Sequence, residues 1–255
     1  MVYEKYVASG NDFIIFHTFH TQDRSNLARQ LCHRHNGIGA DGLIVLLPTP
    51  KKHLAYQWEF YNCDGSVATM CGNGSRAAAL YAFLNKLAPQ QHTFLSLAGE
   101  IEMKIYDHSA QHGIVEVCFT PPRIIQEHIY AQNLEWALID TGVPHLVHII
   151  EDYTNLYQIK KEELAALRHQ YNANVNLITQ KGQEWVIRTF ERGVEDETLA
   201  CGTGMAASFF VLLHKKQQQG QATIVPASGE RLNYRFSDGH IYAKGGVKKI
   251  GIITQ

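Results

Sequence analysis

The 255-residue sequence predicts an α/β chain of the α+β type, built from two similar halves, and three observations carry that reading. The segment Met70-Cys71-Gly72-Asn73-Gly74 returns 130 positions later as Ala200-Cys201-Gly202-Thr203-Gly204. Each copy runs into an alanine-rich apolar stretch, Ala77-Ala78-Ala79-Leu80-Tyr81 and Ala206-Ala207-Ser208-Phe209-Phe210. At the same offset Phe60-Tyr61-Asn62 stands opposite Phe190-Glu191-Arg192, so a strand end precedes each cassette by the same distance. The order of strand and helix patterns in the first half is then replayed in the second, which points to internal duplication.

Taken in order, residues 7–16 read as a strand broken by a turn at Ser9-Gly10-Asn11-Asp12, because Gly and Asn tolerate positive φ. Ser25 is placed to cap a helix reaching about His35, with Leu27 and Leu31 on its apolar stripe and Gly37-Ile38-Gly39 ending it. Residues 41–47 form an apolar strand stopped by Pro48, and 58–62 a strand leading through Asp64-Gly65 into the first cassette. Residues 77–86 read as a helix apolar nearly all round. Strands follow at 93–97, 100–106 and 114–119, and Pro121-Pro122 marks the boundary between halves. In the second half, strands at 136–140 and 146–150 flank the turn Gly142-Val143-Pro144. A helix at 160–170, strands at 174–179 and 184–190, and the second cassette with its helix to about Lys216 come next. Strands at 222–225, 231–236, 240–243 and 249–253 complete the chain. The domains expected are thus residues 1–120, with residues from about 245–255 returning to them, and residues 121–244.

Hydrophobic residues at 45% and charged residues at 18% fit an ordinary globular protein. A net charge of −1 offers no basic field for nucleic acid or a membrane surface. No apolar run reaches the roughly 18 residues of a membrane span. The N-terminal residues lack the basic and apolar regions of a signal peptide, so a cytoplasmic location is expected. Five cysteines in a chain of this length do not make a disulfide framework. Thiols kept reduced are available for chemistry.

A helix N-terminus leaves its first N–H groups unpartnered and carries about half a positive charge. A cysteine there is favoured as thiolate, with pKa values in such settings of roughly 3.5–7.5. The following Gly-Asn-Gly or Gly-Thr-Gly lets bare amides approach an anion. Each cassette therefore offers one base beside half of an anion site. If two such helices grip one amino-acid carboxylate, the α-carbon lies between two sulfurs. One thiolate removes the α-proton and the opposite thiol returns one, inverting the centre with no metal, pyridoxal phosphate or nicotinamide. Cys32, Cys63 and Cys118 sit in helical or strand-like surroundings and read as structural. No CxxC occurs, and Cys32, His33 and His35 cluster without a carboxylate, so no metal site is expected. A non-catalytic binder of an anionic metabolite and a thiol redox protein remain competing readings of the same residues.

Gly10-Asn11-Asp12-Phe13, Gly39-Ala40-Asp41-Gly42, Asn62-Cys63-Asp64-Gly65-Ser66, the two cassettes, Asn174-Val175-Asn176 and the run from Glu191-Arg192-Gly193 to Glu197-Thr198-Leu199-Ala200 together resemble the diaminopimelate epimerase family. The resemblance spans nearly the whole chain. It implies two pseudo-twofold-related halves, each a curved mixed or antiparallel sheet around a central helix, with the active site in the cleft. It implies cofactor-independent interconversion of LL- and meso-2,6-diaminopimelate, in lysine and peptidoglycan-precursor biosynthesis, by a homodimer. It makes Cys71 and Cys201 the acid/base pair. Gly72, Asn73, Gly202 and Thr203 then clamp the reacting carboxylate, while Asn11, Asn62, Asn176, Glu191 and Arg192 hold the substrate. His145, together with Glu191, tunes which thiol carries the proton.

Three departures touch recognition rather than the thiols. Val143 stands where the family often has asparagine in Gly-Asn-Pro-His, Gly42 where it often has glutamine, and the run from Glu191 to Cys201 is one residue longer than in many members. They leave open the same thiol chemistry on another amino acid, histidine or a proline derivative.

Overall fold

The structure is a computed structural model and describes residues 2–215 and 217–254. Lys216, the expected end of the second cassette helix, lies outside the described residues. The first strands and helices are β1 (Val2–Ala8), β2 (Asn11–His17), α1 (Ser25–Cys32), β3 (Gly42–Leu47), β4 (Gln57–Asn62) and α2 (Gly72–Leu84). After them come β5 (Gln91–Ser96), β6 (Gly99–His108), β7 (His112–Cys118), β8 (Arg123–Ala131), β9 (Leu134–Asp140) and β10 (Pro144–Ile150). The remainder comprises α3 (Lys161–Tyr171), β11 (Asn174–Lys181), β12 (Glu184–Glu191), β13 (Asp196–Glu197), α4 (Gly202–His214), β14 (Gln221–Val225), β15 (Leu232–Ser237) and β16 (His240–Thr254). The chain divides into two compact units, Met1–Val117 with Gly245–Gln255, and Cys118–Lys244.

In the first unit the strands follow the order β1-β2-β3-β4-β5-β6-β7-β16, and the C-terminal part of β16 also pairs antiparallel with β1, closing the ring. From β1 to β7 the two parallel pairs are β2–β3 and β4–β5; the other consecutive pairs are antiparallel. Parallel neighbours need a long crossover, and α1 and α2 supply the two. Helix α2 packs against β1, β2, β3 and β6 and is buried without a break from Gly72 to Ala82. A helix buried on every side has no use for a polar face, which is why its sequence is apolar all round.

The second unit repeats this polarity strand for strand. From β9 to β16 the pairs run antiparallel, parallel, antiparallel, parallel, antiparallel, antiparallel, as they do from β1 to β7. Helices α3 and α4 make the two crossovers, and α4 packs against β9, β10 and β11. Strand β8 lies antiparallel beside β9, in the position that the end of β16 takes beside β1. The duplication read from the cassettes is therefore a duplication of topology, and the α+β class with two similar halves holds.

The structure departs from the expected elements in six places. Strand β1 begins at Val2 rather than at residue 7. Helix α1 has Arg24, not Ser25, at its cap, because the Ser25 hydroxyl is bonded to Asp23, and it ends at Cys32 rather than near His35. Strand β8 was not expected; eight of its nine residues face out or are half-exposed, all but Ile129, and its pairing shifts twice around Gln126. The two-residue β13 and a 3₁₀ turn at Tyr153–Asn155 were not expected either. Finally, β16 is one strand of 15 residues where two strands, at 240–243 and 249–253, are expected.

Candidate active site

In the first unit, β4 ends at Asn62, and the turn after it delivers the chain to Cys71, the N-cap of α2. Its extended backbone, φ −147° and ψ 119°, is the usual cap conformation. Its Sγ accepts the Gly74 amide at 3.3 Å. A sulfur held by a helix-terminal N–H, at the positive end of the dipole, is a sulfur favoured as thiolate. Gly72 and Asn73 follow as the first helical residues, whose amides lack intrahelical acceptors.

The Asn73 side chain is buried and fixed. Its Nδ2 donates to Asn11 Oδ1 at 2.7 Å, and its Oδ1 accepts from Arg76 Nη2 at 2.8 Å. Arg76, 1% exposed, also donates to Ser9 Oγ at 2.6 Å and to the Gly246 carbonyl at 3.2 Å. Asn11, at the start of β2, donates from Nδ2 to Asp41 Oδ2 at 3.0 Å. Asp12 and Asp41 brace one another: the Asp41 amide bonds Asp12 Oδ1 at 2.9 Å and the Asp12 amide bonds Asp41 Oδ2 at 3.1 Å. Arg34 grips Asp12 with two nitrogens, at 2.8 and 2.9 Å, and reaches Asp41 at 2.6 Å. Burial alone would raise the Asp12 carboxyl, but Arg34 and Lys5 beside it hold it below the usual carboxylate range. Asn62 stands outside this network and donates to Ser66 Oγ at 3.0 Å. At Gly42, a Cβ would fall 2.6 Å from Phe60 Cε2 and 2.9 Å from the Tyr61 carbonyl oxygen. The Phe60 ring thus fills the space a side chain there would need.

The second unit builds its counterpart from α4. Cys201 caps it with φ −118° and ψ 106°, and its Sγ lies 3.5 Å from Thr203 Oγ1. Tyr234 Oη donates to the Gly202 carbonyl at 3.0 Å and Thr141 Oγ1 to the Thr203 carbonyl at 3.0 Å, so the first turn is tied to β15 and to the loop before β10. Asn176, fully buried on β11, donates from Nδ2 to the Leu146 and Asn174 carbonyls and to His145 Nδ1 at 3.1 Å. Its Oδ1 accepts from Thr189 Oγ1 at 3.0 Å. A Cβ on Gly204 would lie 2.3 Å from that oxygen, so only glycine lets α4 start here. Because Asn176 donates to His145 Nδ1, the imidazole proton sits on Nε2. Burial drives the His145 pKa down to about 3, with Asp140 opposing and Arg192 adding, so the ring is neutral at ordinary pH.

Glu191 ends β12, partly buried. The next residue, Arg192, donates its amide to Asn174 Oδ1 at 2.7 Å and Nη1 to the Asn172 carbonyl at 3.1 Å. The structure thus joins Cys71, Gly72, Asn73 and Asn11 in one network. It joins Cys201, Gly202 and Thr203 with Asn176 and His145 in another. Arg76, Asp12, Asp41, Arg34, Thr141 and Tyr234 were not anticipated as supports. The legible signal was Arg76, a lone charge in an apolar helix.

Of the remaining cysteines, Cys32 is buried, and burial pushes its thiol up to about 12, as suits a structural residue. Cys63 is exposed in the turn after β4, contrary to the expected strand packing. Among the described residues no group of three or more His, Cys, Asp or Glu side chains could hold a metal, and no helix is long and apolar enough to cross a membrane.

The diaminopimelate epimerase family model matches residues 3–125 and 137–250. A diaminopimelate epimerase of a Nitratiruptor species is 53% identical over 96% of this chain and 95% of its own length. One from Helicobacter pylori is 43% identical over 99% of this chain and 96% of its own length. Among solved structures, a probable proline racemase from Agrobacterium radiobacter aligns with a TM-score of 0.78 at 11% identity, covering 100% of this chain and 92% of that one, a likeness of fold. With both cassettes, the Glu191-Arg192 strand end and the doubled topology accounted for, the chain belongs to the diaminopimelate epimerase family.

Proposed function

We propose that the protein is an isomerase that interconverts LL- and meso-2,6-diaminopimelate by proton transfer between Cys71, Cys201 and one α-carbon. The observation that carries this reading is the pair of cysteine N-caps, each opening a buried helix, in a chain 53% identical to a named diaminopimelate epimerase. One sulfur, as thiolate, takes the α-proton from one face; the other, as thiol, delivers a proton to the opposite face. The amides of Gly72, Asn73, Gly202 and Thr203 receive the carboxylate as it gains enolate-like charge, where each donor is worth about 3–4 kcal/mol. Asn73 acts through its backbone, since its side chain is bound to Asn11 and Arg76. His145 remains neutral, so it influences the thiols as a dipole and not as a charge.

The rest of the substrate is a second amino-acid end. Arg192 suits its carboxylate as a planar fork, and Glu191 suits its ammonium. Asn62 and Asn176 complete the binding set, Asn176 by holding the start of α4. Residues 1–120 with the returning C-terminal strand and residues 121–244 act as two halves of one catalyst, in a cytoplasmic homodimer serving lysine and peptidoglycan-precursor synthesis. Exposed Val2, Ile250 and Ile252 on the paired β1 and β16 offer an apolar face for that dimer. The reaction is tested by α-deuterium uptake from heavy water into diaminopimelate under reducing conditions. Uptake by the wild type and none by Cys71→Ala or Cys201→Ala is expected; normal turnover in either variant contradicts the two-thiol scheme.

A further inference from the structure

We infer that Asp41 and Arg76 are positioning residues that force Asn11 to present an N–H donor to the substrate, making it a reader of carboxylate and not of ammonium. The identity of the anion rests on the epimerase reading above; the polarity of Asn11 does not.

An asparagine carboxamide can be turned either way, and the network around it decides which end faces where. Here the network has two ends that cannot be turned. The Arg76 guanidinium can only donate, and the Asp41 carboxylate, ion-paired with Arg34 at 2.6 Å, can only accept. Between them lie two amides in series. Because Arg76 donates to it at 2.8 Å, the acceptor end of Asn73 must face the helix interior, so its Nδ2 faces Asn11. Asn11 must then offer Oδ1 to Asn73 at 2.7 Å and Nδ2 to Asp41 at 3.0 Å. Flipping either amide sets donor against donor at one end and acceptor against acceptor at the other, in surroundings where Asn73 and Arg76 are at most 2% exposed.

One N–H of Asn11 is left over. It is polarised by a carboxylate on the same nitrogen and stands at the head of β2, beside the first turn of α2. A group of this kind binds an anionic oxygen and offers an ammonium no strong acceptor. Arg76 is held in turn by Ser9 Oγ at 2.6 Å and the Gly246 carbonyl at 3.2 Å, so the donor end cannot swing away. Asp41 is held by the Asp12 amide at 3.1 Å.

The test is Asp41→Asn, at a side chain 37% exposed, which keeps the size of the group but lets it donate. The expected result is a KM for LL-diaminopimelate raised about tenfold with kcat within about twofold and an unchanged melting temperature, the signature of lost ground-state binding. Arg76→Gln should shift KM in the same direction. A lowered melting temperature with KM unmoved in Asp41→Asn would overturn the inference, since it would show a structural role only. A second readout needs no turnover. In the folded wild type the Asn11 side-chain amide should give two distinct 15N-correlated N–H signals, one protected from solvent exchange, and Asp41→Asn should abolish that protection. Both signals exchanging as fast as an exposed asparagine would overturn the relay. Protection in a wild type that does not turn over diaminopimelate would uphold the relay and remove the epimerase reading instead.

Discussion

Cys71 and Cys201 are each set by the backbone at the N-cap of a buried helix, and the supports around them are tight enough to predict the cost of disturbing one. In a helix, Gly→Ala ordinarily gains about 1 kcal/mol. At Gly204 the added methyl meets Asn176 Oδ1 at 2.3 Å, and Asn176 cannot retreat because its amide is committed to His145, Leu146 and Asn174. Gly204→Ala should therefore lose about 1–3 kcal/mol in urea unfolding, with a fall in kcat/KM, because overpacking outweighs propensity. His145 sets a pH dependence. Its folded pKa of about 3 lies below the unfolded 6.5, so between those values the unfolded chain holds a proton that the folded chain does not. Stability should be full above pH 6.5 and fall as pH drops towards 3; His145→Gln should flatten that slope in urea titrations at pH 4.5 and 7. The two cysteine caps were legible in the sequence because each Cys-Gly-x-Gly runs straight into an apolar stretch that reads as a helix. The Asp41–Asn11–Asn73–Arg76 series was not, since residues 11, 41 and 73 meet only after three elements have folded together.

Among the elements, those that read clearly are the ones rich in apolar residues and well buried. Strands β3, β4, β11 and β12 and helix α2 bury half or more of their residues and were placed to within a few positions. Strand β8 escaped because Ile129 is its one buried residue and its pairing is shifted twice, so period-two alternation never develops. Strand β16 contains Gly245-Gly246 between the two segments, 240–243 and 249–253, that read as separate strands. Here Gly246 stays in the strand and gives its carbonyl to the buried Arg76, the close approach that glycine in a strand often marks. That strand is also what closes the first unit. Its last residues supply the partners of β1 from Val2 to Val7, and Lys249 bonds Glu4 at 2.9 Å. Deleting residues 248–255 should open the ring and lower the melting temperature by more than about 10 °C by circular dichroism, a loss of several kcal/mol.

For the whole molecule, duplication explains both what is repeated and what is not. Seven strands in each unit follow one order of polarities, each unit with a helix that begins at a cysteine. The repeated part serves a reaction that is itself nearly symmetric, a proton leaving one face of a carbon and another arriving at the opposite face. The unrepeated residues, Asn62 against Arg192 among them, are where the proposed reading places recognition of the substrate. Fold and reaction were legible because duplication writes the same message twice; the supports were not, because each copy solves its packing differently, Arg76 in one and Thr141 with Tyr234 in the other. The most direct measurement is mass-resolved α-deuterium uptake from heavy water during conversion of LL- to meso-diaminopimelate, with the wild type beside each single cysteine variant. Solvent deuterium in the product from the first turnovers, and none with Cys71→Ala or Cys201→Ala, is the predicted result. Product formed without deuterium, or formed at the normal rate by either variant, would contradict it.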